Sequence, residues 1–165
     1  MLGGMSYVLA KQRDADVVDA FRRYRAYLAH NASKFPPSAY ELASSEWYFD
    51  PRDHRSPHDA WLESAVLEEA ASGERQENRT SILKLRLLGA YHDGHIELVY
   101  PDVQGYTLDM ASTERGHGDW RYDEFRVTGS GRIVHEIEWA RSSGTGHWVI
   151  EASDVLYTWI PRAAA

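Results

Sequence analysis

The chain has 165 residues, no cysteine and a formal charge of −7 at pH 7. This length suits one compact domain, so we predict a single domain over residues 1–165. The absence of cysteine excludes disulfides, thiol nucleophiles and zinc sites built on cysteine. No stretch approaches the roughly 18 apolar residues that a membrane span needs. The N-terminus, MLGGMSYVLAKQRD, lacks the basic and apolar regions of a signal peptide, so the sequence predicts a cytoplasmic protein.

The charge is divided unevenly along the chain. Residues 1–34 carry a net charge of +3, whereas residues 35–165 carry −10. Such an acidic body repels nucleic acid and favours the encounter with a basic protein. A plainer interpretation is that the net charge keeps a small protein in solution.

A helical cap is predicted over residues 14–45. Apolar residues recur at helical spacing at Val17, Phe21, Tyr24 and Leu28. This stripe predicts an amphipathic helix over residues 14–33. Pro36 and Pro37 end that helix, and Ser38 is a suitable cap for a second, shorter helix over residues 39–45.

Residues 60–160 are predicted to form an antiparallel β body. Its first part, residues 60–69, fits a helix and a two-sided strand equally well. Alternating apolar segments separated by short turn sequences then predict strands at 82–88, 96–100, 104–109, 120–127, 132–140, 146–152 and 155–160. The fold class is therefore α+β: a helix or helix pair followed by a predominantly antiparallel meander, as a sheet or a flattened barrel.

Histidine offers a possible metal site. Asp93-Gly94 is a strong signal for a two-residue hairpin turn, which would place His92 and His95 opposite each other on one face of the ribbon. A third ligand, His117 or Asp119, would come from another turn. Polar residues beside turns are common, so this remains the alternative hypothesis, and the sequence predicts no cofactor.

A second histidine group lies in the turn-rich segment of residues 50–59. His54, His58 and Asp59 are close in sequence, and a histidine bonded to a carboxylate is a suitable general base. The segment contains proline and is not the helical motif of zinc peptidases. A loop fixed by hydrogen bonds between histidines and carboxylates is the simpler interpretation.

Aromatic and acidic residues of the strands suggest a surface for a protein partner. Aromatic side chains supply buried area at interfaces, and surrounding carboxylates orient a basic partner. The candidate partner-binding carboxylates are Glu68, Glu69, Asp119, Asp123 and Glu124.

Several segments share a pattern of strand starts. They are His58-Asp59-Ala60-Trp61-Leu62, ILKLRLL (82–88), IELVYPDV (96–103), Tyr106-Thr107-Leu108 and Tyr122-Asp123-Glu124-Phe125. Together they resemble small bacterial immunity-type and uncharacterised β-rich domains over residues 58–160. The resemblance implies a strand rather than a helix at 60–69 and a protein that neutralises a toxin by binding it. It implies no catalytic residues.

The sequence therefore favours a non-enzymatic, acidic protein-binding domain, most specifically an immunity-type protein that occludes a basic toxin. One alternative is a metal-dependent hydrolase that uses one of the two histidine groups. Another is a structural subunit that assembles through open sheet edges or through a basic helix carrying Arg22, Arg23 and Arg25.

Overall fold

A helical N-terminal region precedes an antiparallel sheet of eight strands, in a computed structural model that describes residues 5–164. The α+β class predicted from the sequence is confirmed. Within the described range, every helix is too short or too polar to cross a membrane.

Three α-helices form the N-terminal region: α1 (Ala10–Ala15), α2 (Val17–Asn31) and α3 (Pro37–Ser44). The predicted helix over 14–33 is interrupted at Asp16, which has an extended backbone and accepts a hydrogen bond from the backbone N–H of Asp19 at 3.0 Å. A side-chain cap of this kind starts a new helix. The predicted cap at Ser38 is wrong because α3 already begins at Pro37, whose missing N–H costs nothing in the first turn.

The eight strands lie close to their predicted positions. They are β1 (Trp61–Ser72), β2 (Asn78–Leu88), β3 (Gly94–Tyr100), β4 (Gly105–Asp109), β5 (Asp119–Val127), β6 (Ile133–Arg141), β7 (Gly144–Ala152) and β8 (Leu156–Pro161). The ambiguous segment 60–69 is therefore strand, as the resemblance implied.

The sheet is open and has the strand order β4-β7-β6-β5-β1-β2-β3-β8. Two three-stranded meanders, β1-β2-β3 and β5-β6-β7, meet at one residue pair, Trp61 and Asp119. The edge strands β4 and β8 join β7 and β3 respectively. Because β1 and β5 diverge after this pair, each of them has a length of edge that no neighbouring strand covers.

The core lies between the two meanders and under the helices. Leu85 of β2, Leu98 of β3 and Trp139 of β6 are completely or almost completely buried in the same cluster as Tyr24 of α2. The helices pack beside β5 and β8. This arrangement leaves the far end of the β1 and β2 pair without any covering layer.

The far end of β1 and β2 forms a two-stranded ribbon, residues 65–85, paired in register from Ala65–Leu85 to Ser72–Asn78. Every residue from 65 to 80 is exposed, so the outer part of the ribbon projects from the body, whereas Leu83 and Leu85 at its inner end still lie in the core. An isolated two-stranded ribbon is only marginally stable in water. Its extension beyond the core is therefore a feature that needs an explanation.

Candidate functional site

The outer edge of β1 presents a row of free backbone groups. From Leu62 to Ser72 the strand bonds to β2 on one side, while residues 5–164 supply no backbone partner on the other. Free N–H and C=O groups along an extended strand are a template for a further strand. This free edge is longer than the outer edges of β4 and β8, the two terminal strands of the sheet.

The ribbon carries two exposed apolar side chains at its inner end, next to the body. Val66 and Leu67 are 41% and 47% exposed. The two predicted carboxylates beside them are already paired: Glu68 lies 3.0 Å from Lys84, and Glu69 lies 2.7 Å from Arg79. The ribbon therefore offers backbone groups and apolar side chains more than free negative charge.

A cleft of about 300 Å³ lies at the base of the free edge, where β1 leaves β5. We call it the Trp61 cleft; its walls are Trp61, Leu62, Arg115, Gly116, His117, Gly118 and Asp119. Trp61 is half exposed, and its indole nitrogen donates to an Asp119 oxygen at 2.9 Å. The His92 ring packs edge-on against Trp61 at 4.7 Å. These contacts hold the indole as a fixed aromatic wall.

The loop that forms the opposite wall is held by Arg141. The guanidinium of Arg141 donates to the carbonyls of Ser112, Glu114 and Gly116. Gly118 has φ of +102°, and a side chain there would collide with the Ala140 carbonyl, so only glycine fits. The loop is therefore pre-organised rather than shaped by a ligand.

Arg115 is the free cation of this wall. It forms no ion pair with a carboxylate of residues 5–164, and its backbone has φ of +62°, an uncommon conformation for a residue with a side chain. Strained residues of this kind persist where the surrounding structure fixes them. The cleft thus combines an aromatic surface with an unpaired positive charge.

His117 forms the floor of the cleft against two tryptophans. Its ring lies edge-on to Trp139 at 4.4 Å and to Trp148 at 5.0 Å. Burial lowers its pKa, and the nearby Arg141 lowers it further, so the ring is neutral at pH 7. The ring atom Nδ1 and the indole nitrogens of both tryptophans are buried without a hydrogen-bond partner in the part of the chain described.

The predicted metal ligands do not come together. His92 lies inside the hairpin loop with φ of +58°, because the loop closes on Gly89 and Gly94 rather than on a two-residue turn. His95 instead pairs with Leu88, and its Nε2 lies 3.1 Å from Glu63. The expected opposed pair of His92 and His95 is therefore wrong. Residues 5–164 contain no group of three histidine, aspartate or glutamate side chains placed to hold a metal.

The predicted general-base group is also divided. His54 stacks on Tyr91 and contacts Asp93, whereas His58 and Asp59 have other neighbours. His58 Nδ1 lies 3.3 Å from Asp59 but lacks the geometry of a hydrogen bond. Asp59 is bound instead by Arg121 at 2.9 Å. The structure thus shows fixed loop contacts, as in the simpler interpretation.

Asp123, predicted to contact a partner at the surface, lies in the core. Its carboxylate accepts hydrogen bonds from Tyr48 at 2.7 Å and from the Trp120 indole at 3.0 Å, and it lies 2.7 Å from His135 Nε2. The other nitrogen of His135 bonds to Tyr100 at 2.7 Å. Asp123 is 3% exposed, so it does not reach a partner. The sequence singled out no role for His135, because nothing local to it indicates Asp123 as its partner.

Glu124 is buried as well, on the opposite face of β5. Its carboxylate accepts the backbone N–H groups of Tyr7 and Val8, both at 2.8 Å, and pairs with Arg126. Burial raises its pKa above the ordinary value even though these partners favour the charged form. Of the five predicted carboxylates, only Glu68, Glu69 and Asp119 are therefore accessible.

The chain matches no protein family model, and it matches no curated protein and no solved structure.

Proposed function

We propose that this chain is a non-enzymatic protein-binding domain whose partner adds an extended segment to the free edge of β1. The observation that carries the proposal is the length of that edge, whose backbone groups are unpaired and whose outer part projects beyond the core. Strand addition of this kind draws its affinity from main-chain hydrogen bonds and its specificity from side chains on either face. Val66 and Leu67 supply the apolar contacts.

The partner that we propose is a basic protein, and the most specific form is a toxin neutralised in the cytoplasm by an immunity-type protein. The −10 charge of residues 35–165 supports this choice, because a long-range acidic field speeds the approach of a basic partner. The paired state of Glu68 and Glu69 indicates that charge steers the encounter while the β1 edge provides the lasting contacts.

The test compares two substitutions on exposed leucines of equal accessibility. Leu67→Lys places a charge beside the β1 edge, whereas Leu156→Lys places it on β8, where the leucine is 49% exposed against 47% for Leu67. A charge on an edge strand opposes strand addition. We expect native mass spectrometry of protein purified from its own host to show one added basic protein for the parent chain and for Leu156→Lys, and none for Leu67→Lys.

Other outcomes of the same measurement contradict the proposal. Equal binding by both variants would place the interface away from β1. An added metal ion without a protein would favour the hydrolase alternative, and an added copy of the chain would favour a structural assembly. Circular dichroism of each variant checks that a lost complex is not lost folding.

A further inference from the structure

We infer that the Trp61 cleft binds the free C-terminal carboxylate of the segment added to β1. This inference rests on the proposed function and adds that the bound segment ends in a free carboxylate. The segment would lie along β1, and its last residue would enter the cleft between Trp61 and Arg115.

The direction of the strands places the C-terminal end of an added segment at the cleft. β1 begins at the cleft and runs outward to Ser72, while β5 runs antiparallel to it from the Trp61–Asp119 pair. Residues 115–118, which precede β5, therefore lie beside the start of the free edge and line the cleft with Leu62. A segment added antiparallel to β1, the commoner pairing, runs back toward these residues and ends with its carboxyl terminus there.

The charges in the cleft supply a binding partner for a carboxylate. Arg115 has no carboxylate partner within residues 5–164, and a guanidinium binds a carboxylate with two parallel hydrogen bonds. The opposing charge in the cleft is Asp119, one oxygen of which is held by the Trp61 indole at 2.9 Å. His117 is neutral at pH 7 and adds no charge of its own.

The aromatic wall of the cleft indicates which side chain the last residue has. The Trp61 indole is fixed between Asp119 and His92 and offers its exposed surface to an apolar side chain. Below His117, the buried indole nitrogens of Trp139 and Trp148 lack acceptors among the described residues. These two nitrogens lie behind the floor of the cleft and do not line it, so the accessible aromatic surface is that of Trp61. We therefore expect a terminal residue with an apolar side chain that packs on Trp61.

The experiment uses the full chain and two libraries of random nonapeptides attached to beads through their N-termini. One library ends in a free carboxylate and the other in an amide. We expect enrichment from the first, and the selected peptides to bind at least about tenfold more tightly than their amidated copies in fluorescence anisotropy. This factor corresponds to about 1.4 kcal/mol.

Variants separate the cleft from the edge. Arg115→Gln should remove the preference for the free carboxylate, whereas Arg25→Gln, an exposed arginine of α2, should keep it. Peptides that bind equally in both forms, and that Leu67→Lys releases, would overturn this inference and leave the proposed function standing. Enrichment from neither library would overturn the inference. Peptides that Leu67→Lys does not release, or self-association through β1, would count against both.

Discussion

At the scale of single residues, the interior of this protein holds a hydrogen-bonded polar network around Asp123. Asp123 receives hydrogen bonds from Tyr48 and Trp120 and contacts His135, and all four side chains are buried. Burial raises the pKa of Tyr48 well above its ordinary value, with the neighbouring Asp123 charge adding to it, so the hydroxyl stays a donor. A buried carboxylate is tolerated because several donors replace the water that it lost.

Replacing Asp123 tests this network. We expect Asp123→Ala to lower the free energy of unfolding by about 3–5 kcal/mol, because it leaves three buried polar groups without their shared partner. Urea unfolding monitored by tryptophan fluorescence measures the change. The control is Glu69→Ala, which removes an exposed carboxylate and should change the stability by no more than about 0.5 kcal/mol. A cost for Asp123→Ala as small as the control's would show that the network contributes little.

At the scale of elements, β1 and β5 differ in how the edges beyond their one shared residue pair are covered. The edge of β5 is covered by α2: the Tyr24 hydroxyl donates to the Phe125 carbonyl and accepts from its N–H, and the Tyr27 hydroxyl accepts from the Val127 N–H. The corresponding edge of β1 is left free. Tyrosine hydroxyls thus replace a missing strand at β5, whereas residues 5–164 provide no such cover at β1.

Removal of one hydroxyl should show what that cover contributes. We expect Tyr24→Phe to reduce the free energy of unfolding by about 1–3 kcal/mol, because the backbone groups of Phe125 lose their partner in the core. Hydrogen exchange of the Phe125 amide should become faster in the same variant. Tyr106→Phe, at an exposed tyrosine of β4, is the matched control and should leave both unchanged. An unchanged Phe125 amide would mean that α2 does not protect the edge.

At the scale of the whole molecule, the basic N-terminal part binds the acidic body through its first turns. Arg13 pairs with Glu138 at 2.6 Å, and the backbone N–H of Ala10 donates to the same carboxylate at 2.8 Å. Arg22 and Arg23, expected as possible contacts to an acidic body, pair with Asp19 of their own helix. The N-terminal segment is thus part of the folded body, attached over a face rich in titratable groups.

This face gives the stability a defined pH dependence. Glu136 accepts a hydrogen bond from His147 at 2.9 Å and raises the pKa of His147 above 6.5, assisted by Glu138 and Asp109 and opposed by burial. A histidine with a raised folded-state pKa stabilises fully below its unfolded pKa, and that contribution disappears as the pH rises through the folded value. Because His147 is half exposed, the contribution should be no more than about 1 kcal/mol.

The measurement is urea unfolding between about pH 5.5 and 9 for the parent chain and for His147→Gln. We expect the parent to be the more stable at the acidic end and the two to converge as the pH rises. A difference between the parent and His147→Gln that grows with pH would reverse the sign that we assign.

The sequence by itself determined the class of fold and most of its strands. In β6 the alternation of His135, Ile137 and Trp139 with Glu136 and Glu138 predicts a strand with one buried face, and the first three are completely buried. β1 lacks such a signal because both its faces are exposed from Ala65 onward, so its pairing with β2 decides its structure. The position of a residue along a strand determines which face its side chain lies on. A regular alternation of apolar and polar residues is therefore enough to identify a strand with one buried face.

Only the tertiary structure decided which candidate residues are accessible and which meet. The sequence predicts the same partner-binding role for Asp123 and Asp119. In the structure the first is buried and the second lines the Trp61 cleft. Arg115 and Trp61 are 54 positions apart, and both line the Trp61 cleft because β1 and β5 pair at Trp61 and Asp119. Burial and the pairing of distant residues arise from long-range contacts, which the spacing of residues along one strand does not record.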